Sequence, residues 1–372
     1  MDEITGLERA LTYLNGEKPD KMPIWLESVY LAWKYSGVQS LREYIYDGKA
    51  IARGHIAVAE KFRVDITGVN IDQWVMYEIL GAEVEILDHV VQAKIQPWRY
   101  KPDHSVYDKF IEKVERIEKN IDEFDPRKCK RAQAIFEAWK IVAEKIGNKV
   151  LLRQGILGPA ATLALTIGMT EVMRDIMIFP DLFPTLTRIV RGPLMEWTVD
   201  VAYKMVEAIN FTNFCMGFSG YDKSILSPDL REWLAALDLE YLNKVRSRIG
   251  KDVPITTHVC SWDPDLDFIY EKFGKPKLIN ELQFYAPGST YPLEKAVEKF
   301  GDKIPLCAGI DHLGPLFSGT PKDVELMVKN SIELGKNCIS FALGPGCGLS
   351  PNTPEENLLK ISEVRDKYGR YK

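Results

Sequence analysis

Eight short apolar runs recur along the chain, and each is followed by a longer stretch with helical periodicity. β-Branched and apolar runs of this length are typical of buried strands, and apolar residues at i, i+3 and i+4 are typical of the helices that cover them. Glycine ends the helix before several runs, as in Ile249-Gly250 and Leu334-Gly335. The eight predicted strands are Met22–Glu27, Val64–Ile71, Lys149–Ile156, Ala208–Met216, Val253–Cys260, Lys277–Phe284, Lys303–Gly309 and Asn337–Leu343.

This alternation predicts an α/β fold, a (β/α)8 TIM barrel preceded by an N-terminal helix. We expect one domain over residues 1–372, because no Gly/Ser-rich linker divides the chain. The second and third predicted strands are widely separated, which indicates an insertion at about 92–147. We expect a short hairpin or loop after Val84–Val91, followed by surface helices that include the charged run Ile111–Arg131.

Composition excludes several functional classes. The chain has 48 Lys+Arg and 53 Asp+Glu, a net charge of −5 with interspersed signs, so it carries no footprint for nucleic acid or an anionic membrane. No apolar run reaches the ~18 residues of a membrane span, and the acidic N-terminus does not resemble a signal peptide. We therefore expect a cytoplasmic protein whose six cysteines are core residues, metal ligands or catalytic thiols rather than disulfides.

Chemically active side chains follow the predicted strands, at the end where a barrel of this class carries its active site. His258 and Cys260 are one residue apart on a strand, so both side chains lie on the same face. Cys347 lies in a Gly-Pro-Gly-Cys-Gly turn after the last strand. One imidazole and two thiolates form a Zn²⁺ ligand set with the fourth position open for substrate. The alternative is that His258 and Cys260 are core residues.

The remaining cysteines give weaker signals. Cys215, Cys307 and Cys338 lie inside predicted strands, which is typical of packed thiols. Cys129 lies in the charged insertion, and the sequence indicates no partner for it.

Several segments resemble the uroporphyrinogen decarboxylase superfamily, and in particular its cobalamin-dependent zinc methyltransferases. The most specific are THVCSW at 257–262 and GPGCGLSPNTPEENL at 344–358, which resemble the zinc motif of those methyltransferases. LGPAATLALTIGMTEVMRDIMIFPDLF (157–183), SILSPDLREWL (224–234) and AGIDHLGPLFSGTPKDVE (308–325) resemble further family segments. The resemblance extends from about residue 5 to the C-terminus and implies a (β/α)8 barrel. NIDQWVMYEILGAEVE (70–85) resembles the segment that carries the decarboxylase's catalytic aspartate, at Asp72.

One departure argues against porphyrin decarboxylation. True decarboxylases carry an arginine-bearing motif near the first strand that binds the tetrapyrrole carboxylates. The corresponding segment here, PIWLESVYLAWKY (23–35), contains no arginine. A polycarboxylate substrate would be poorly held without that cationic clamp, so the methyltransferase branch is favoured.

Within that branch the resemblance implies zinc and one of two methyl transfers. In the first, a methoxylated aromatic compound gives its methyl group to cob(I)alamin, an O-demethylation. In the second, a methylcobamide gives its methyl group to a small thiol of the coenzyme M type. The cobalamin should arrive on a partner corrinoid protein, because the chain has no D-x-H-x-x-G cobalamin-binding signature. Whether the chain forms a homodimer stays open.

Aromatic residues beside the strand ends lead us to favour the methoxyarene, since flat walls suit such a ring and cations there are few. Each aromatic residue is equally well explained by core packing, and Asp311 by capping the next helix. Glu27 and Asp72 are the predicted catalytic residues. Either could supply the fourth zinc ligand or form a hydrogen bond to the phenol of a substrate. The predicted substrate-binding residues are Trp25, Tyr30, Trp74, Gln283, Phe284 and Asp311. A non-catalytic corrinoid- or tetrapyrrole-binding protein is the alternative from another class.

Overall fold

The computed structural model describes residues 4–95, 115–117, 119–168, 182–218 and 220–371. Strands and helices alternate throughout these ranges. The strands are β1 Trp25–Leu26, β2 Ile66–Thr67, β3 Glu83–Ile86, β4 Val91–Ile95, β5 Leu151–Leu152, β6 Gly155–Leu157, β7 Phe214–Phe218, β8 Ile255–Val259, β9 Leu282–Gln283, β10 Leu306–Ile310 and β11 Phe341–Pro345.

The helices between the strands begin where the sequence offers a cap. Thr320 caps one helix through a capping box with Asp323, and Ser227 caps another just before Pro228. The helices are α1 Gly6–Leu14, α2 Leu31–Lys34, α3 Leu41–Tyr44, α4 Gly48–Lys61, α5 Lys130–Ile146, α6 Pro159–Ile167, α7 Leu182–Ile189, α8 Met195–Ala208, α9 Pro228–Ile249, α10 Leu266–Ile269, α11 Leu293–Phe300, α12 Pro315–Ser318, α13 Pro321–Gly335 and α14 Glu355–Tyr368.

Nine of the strands pair in parallel, in three sheets of three strands: β1-β2-β5, β6-β7-β8 and β9-β10-β11. β5 and β6 follow each other within one predicted strand and so link the first two sheets. Single parallel bridges link the rest, Val259 to Phe284 and Ile24 to Leu343, which places the first strand beside the last. The regular ladder is interrupted at these junctions, so the strands do not form one continuous closed sheet.

The order of neighbours is that of a (β/α)8 barrel, and each predicted strand contains or overlaps an observed one. The largest shift is at β7, predicted from Ala208 and observed from Phe214. Helix α8 runs to Ala208, and Asn210 and Phe211 then take left-handed backbone angles that no strand tolerates. The predicted N-terminal helix is α1.

Between β2 and β5 the chain first forms an antiparallel hairpin from β3 and β4. Residues 96–114 and Glu118 lie outside the described part of the chain, so the insertion boundaries stay a prediction. Helix α5, at the end of this stretch, packs on α4 and buries Ala138, Trp139 and Val142. Its inner face belongs to the core and also contains the buried Arg131, while its other charged residues lie on the outer face.

Helix α1 covers the N-terminal ends of the strands, and the last turns of α14 reach the same end through Arg365. The buried face of α1, which includes Tyr13, packs on Ile66, Leu151 and Cys307 inside the strand layer. A charged cluster, here named the closed-end network, lies beside it and consists of Arg9, Asp20, Asp65 and Arg365.

The closed-end network satisfies its own polar groups. One oxygen of Asp65 accepts from Arg9 Nη1 at 2.6 Å, and the other accepts from Arg365 Nη1 at 2.7 Å and from the Ile24 amide at 2.8 Å. Arg9 also donates to both oxygens of Asp20, at 2.7 and 2.9 Å. This end of the fold is therefore sealed by a complete set of charge-assisted hydrogen bonds.

No helix in the described ranges is long and apolar enough to cross a membrane.

Candidate metal centre and its cavity

A cavity of about 860 Å³ opens at the opposite end, where the parallel strands finish. Its wall is made by residues that follow β1, β2, β7, β8 and β11, by β6 itself and by the β3–β4 hairpin. Cavities of this size bury ligands of drug-like dimensions. The hairpin contributes five consecutive residues, from Val90 to Lys94.

His258, Cys260 and Cys347 meet on this wall. The alternation of β8 places His258 and Cys260 on one face, and the turn after β11 brings Cys347 to them. One ligand atom of each residue lies within 4.8 Å of the others, and the two Sγ atoms are 3.7 Å apart. Two sulfur ligands of a tetrahedral zinc ion with ~2.3 Å bonds are ~3.8 Å apart. The donor set and its spacing therefore fit zinc.

The electrostatics of these three side chains favour a bound cation. The Glu27 carboxylate lies 3.7 Å from His258 Nδ1. Burial lowers the pKa of His258, but Glu27 and Cys347 outweigh it and raise that pKa to about 10. The hydrogen bond between the thiols lowers the pKa of Cys260 and, together with burial, raises the pKa of Cys347. The raised pKa of His258 shows that the cluster has a negative electrostatic potential. The same potential would attract a metal cation.

Two buried polar atoms beside the cysteines point to the same conclusion. Glu27 Oε2 and His258 Nδ1 have no hydrogen-bond partner among the described residues. Buried polar atoms are nearly always paired, so such atoms mark a place where a ligand or ion completes the structure.

The cavity wall also carries Asp72 and Trp74. Asp72 is fully buried, accepts a hydrogen bond from the Trp74 amide at 2.7 Å and pairs closely with the buried Arg131. Arg131 also contacts Glu78, at 3.1 Å. Asp72 is thus held by a buried arginine and a backbone amide.

Three predicted aromatic residues line the cavity. Trp25 packs its ring edge against His258, with centroids 6.3 Å apart, and Trp74 is nearly buried. The Tyr30 hydroxyl lies 3.3 Å from both the amide and the carbonyl of Val91 and so fastens the hairpin to the loop after β1. These three residues therefore lie on the cavity wall, and their role in substrate binding stays a prediction.

The chain matches the family model described as uroporphyrinogen decarboxylase (URO-D) over residues 5–368. It belongs to the uroporphyrinogen decarboxylase family. Methylcobamide:CoM methyltransferase MtbA of Methanosarcina acetivorans is 24% identical over 68% of this chain and 71% of its own length. Methylcobamide:CoM methyltransferase MtaA of Methanosarcina barkeri (strain Fusaro) is 23% identical over 99% of each chain. A solved methyltransferase from Methanosarcina mazei superposes with a TM-score of 0.75 at 19% identity, over 98% of this chain and 99% of that one.

These relatives confirm the family, its methyltransferase branch and the prediction that the chain is a methyltransferase. The solved neighbour confirms the URO-D-like methyltransferase fold. Both curated relatives are named for methylcobamide and CoM, so they support the thiol alternative better than the methoxyarene that we favoured from the sequence.

Three predicted substrate-binding residues of this URO-D family chain are not among the described residues that line the cavity. Gln283 is fully buried and donates to the Pro345 carbonyl at 2.7 Å. Phe284 is fully buried and packs on Tyr291. Asp311 accepts from the amides of Leu313 and Gly314, at 3.1 and 2.8 Å, and so caps the segment before α12. Their predicted role gains no support from these positions.

Arg153 is a cavity residue that the sequence analysis missed. It lies between β5 and β6, is almost completely buried, and pairs with Glu281 at 2.7 Å. Glu281 in turn accepts from the Tyr13 hydroxyl at 2.8 Å. We name these three residues the floor network. A charge in the middle of a predicted buried strand, KVLLRQGI (149–156), was the signal that could have revealed it.

The other cysteines divide as follows. Cys307 and Cys338 are buried, as packed thiols should be, but Cys215 lines the cavity and accepts from Arg153 Nε at 3.3 Å. Cys129 is half-buried at the N-cap position of α5, where its side chain makes no capping hydrogen bond within the described residues.

Proposed function

We propose that this chain transfers a methyl group from a methylcobamide to a small thiol, at a zinc ion held by His258, Cys260 and Cys347. The observation that carries the proposal is the meeting of one imidazole and two thiols on the wall of the large cavity. The names of the curated relatives support the choice of a methylcobamide and a thiol.

The three ligands leave a fourth zinc position for the thiol. When bound, zinc would lower the pKa of the thiol and supply a thiolate at neutral pH. Glu27, 3.7 Å from His258 Nδ1, is placed to keep the imidazole oriented and to receive the proton that the thiol loses. Trp25 and Tyr30 exclude water from one side of the metal ligands, which preserves the nucleophile.

We further propose that the methylcobamide comes on a separate corrinoid protein. Displacement at a methyl carbon requires the cobalt to approach from the side opposite the attacking sulfur, through the open mouth of the cavity. Asp72, paired with Arg131, lies on the cavity wall and helps to define that approach.

A methoxylated aromatic donor is the second candidate, and one observation favours it. Trp25, Tyr30 and Trp74 all line the cavity, and its volume of about 860 Å³ exceeds what a small thiol fills. In that reaction cob(I)alamin would accept the methyl group and a phenol would leave.

One assay series separates the two candidates. Purified, zinc-loaded protein is incubated either with methylcobalamin and a panel of small thiols, or with cob(I)alamin and a panel of methoxyarenes. We expect loss of methylcobalamin and formation of a methyl thioether with the thiols. Phenol release with no thioether would replace the thiol proposal with O-demethylation.

Cys347→Ala tests the metal assignment in the same assay, with Cys338→Ala as the matched control because Cys338 is a buried thiol remote from the cavity. We expect Cys347→Ala to lose its zinc and its rate of methyl transfer to fall more than ~100-fold. Residues that only support a metal ligand typically contribute a factor of about 10 to 100. Full activity in Cys347→Ala would contradict the zinc site.

A further inference from the structure

The interior of a barrel of this class is normally filled by aliphatic side chains, yet here a charged pair lies beneath the metal ligands. The side chains of Arg153 and Glu281 are 2% and 0% exposed. Burying two charges costs free energy that their attraction offsets only when the geometry is good, and aliphatic replacements are often as stable. Stability alone therefore does not explain this pair.

The Arg153 guanidinium contacts the neighbouring strands in several directions at once. Nη1 pairs with Glu281 just before β9, Nε donates to Cys215 on β7, and Nη2 donates to the Thr257 carbonyl on β8. The guanidinium carbon also lies 4.1 Å from the ring centroid of Trp25 on β1, a close cation–π contact.

Two of these contacts lead directly to His258. Thr257 immediately precedes it, so the bond to the Thr257 carbonyl fixes the backbone from which the imidazole projects. The Trp25 ring lies between the guanidinium and the imidazole, with its plane at 77° to that of His258. Thr257 Oγ1 is itself held, donating to the Glu281 carbonyl at 3.2 Å and accepting from the Gln283 amide at 2.9 Å.

We propose that Arg153 is a positioning residue for the metal centre, which holds His258 in place through Thr257 and Trp25. The inference rests on the proposed zinc site but not on the identity of the methyl donor or acceptor. Lysine cannot replace this arginine, because one ammonium group cannot reach Glu281, Cys215 and Thr257 together while stacking on Trp25.

The test compares Arg153→Lys with Arg365→Lys. Arg365 is the matched control because it is also buried and pairs with an aspartate at 2.7 Å, but in the closed-end network. Zinc affinity is measured by competition with a chromophoric chelator, metal-ligand geometry by the absorption of the cobalt(II)-substituted protein, and stability by thermal unfolding of the metal-free protein.

We expect Arg153→Lys to lower zinc affinity about 10- to 100-fold and to shift the cobalt absorption bands. Arg365→Lys should lower the melting temperature while zinc affinity and the cobalt bands stay as in the wild type. If both variants lose zinc affinity in proportion to their loss of stability, Arg153 is a structural residue only and the proposal is overturned.

Glu281→Gln provides a second variant should Arg153→Lys fail to fold. The amide keeps the volume of Glu281 but interacts more weakly with the Arg153 guanidinium. Zinc affinity should therefore fall by a smaller factor than in Arg153→Lys, and the cobalt absorption bands should shift in the same direction. Wild-type affinity in this variant would overturn the proposal. Zinc binding without methyl transfer would refute the proposed function alone, whereas a wild-type chain that binds no zinc would refute both.

Discussion

The two ends of the strand layer bury similar charges in different ways. At the closed end, Asp65 is paired through both oxygens with Arg9 and Arg365. At the open end, the described residues leave three buried atoms without a hydrogen-bond partner: Trp25 Nε1, and Glu27 Oε2 and His258 Nδ1, which lie 3.7 Å apart. The first arrangement is complete as it stands, whereas the second is completed by something that binds.

This difference shows how a structural ion pair can be told from a functional one. Both ends have an arginine and a carboxylate 2.7 Å apart. Burial and distance are therefore the same, but the Arg365–Asp65 contact is a hydrogen bond, whereas Arg153 Nη1 and Glu281 Oε1 have no hydrogen-bond partner among the described residues. Hydrogen bonding, within the pair and beside it, thus distinguishes the two regions. The comparison predicts that changes at the closed end affect stability and changes at the open end affect ligand binding.

The largest effect is expected at Asp65. Asp65→Asn removes the carboxylate that two buried arginines share, so that Arg9 keeps only Asp20 and Arg365 keeps only Asp366 as counter-charge. It should lower the free energy of unfolding by about 3–5 kcal/mol. Denaturant unfolding measures this, and zinc content per folded chain should be unchanged. Asp267→Asn, at an exposed pair with Lys299, is the control and should cost under about 1 kcal/mol. Loss of zinc in Asp65→Asn would contradict the prediction that changes at the closed end affect stability alone.

A smaller effect is expected from His55, which braces the loops after β1 and β2 from behind the cavity. Its ring nitrogens contact Ser28 Oγ at 3.0 Å and the Asn70 carbonyl at 3.1 Å. Burial lowers the pKa of His55 to about 4.

The unfolded chain therefore takes up a proton below about pH 6.5 that folded His55 refuses until about pH 4, so stability falls as pH decreases through this window. The loss should reach about 3 kcal/mol. Unfolding measured across this pH range should show a flatter profile in His55→Gln, whereas His89→Gln, at an exposed histidine, should keep the wild-type profile. An unchanged slope in His55→Gln would show that other groups control the acid response.

The smallest effect is expected at Glu27, where the comparison is sharpest. Glu27→Gln removes the carboxylate beside His258 and should weaken zinc binding about 10-fold. Stability of the metal-free protein should change little, because the Glu27 side chain is 18% exposed and lies 3.7 Å from His258 Nδ1, beyond hydrogen-bond distance. Chelator competition and denaturant unfolding measure the two quantities, with Glu325→Gln on the surface of α13 as the control. A clear loss of stability without a loss of zinc would place Glu27 with the structural carboxylates.

The strands and the metal ligands were predictable because their signals are local. A run of apolar residues after a glycine marks a strand, and the H-x-C and Gly-Pro-Gly-Cys-Gly patterns each lie within a few residues. Bringing Cys347 to Cys260 needed only the assumption that the last strand ends near the others. Those residues meet as predicted.

The side of the strand that each residue faces was not predictable in the same way. Gln283 and Phe284 are neighbours, so they point to opposite faces, and a shift of one residue exchanges them. The pairing of Arg153 with Glu281 joins positions far apart in the sequence, and no local pattern indicates it. These contacts are determined by the register of the strands, which a single sequence leaves undefined.

The β3–β4 hairpin forms one wall of the cavity, yet its strands pair only with each other and none of its residues is a metal ligand. Among the described residues, the cavity wall formed by the hairpin is thus separate from the three side chains that we propose hold the metal. Because of this separation, the hairpin could be replaced by another sequence to change substrate preference without altering the three candidate metal ligands.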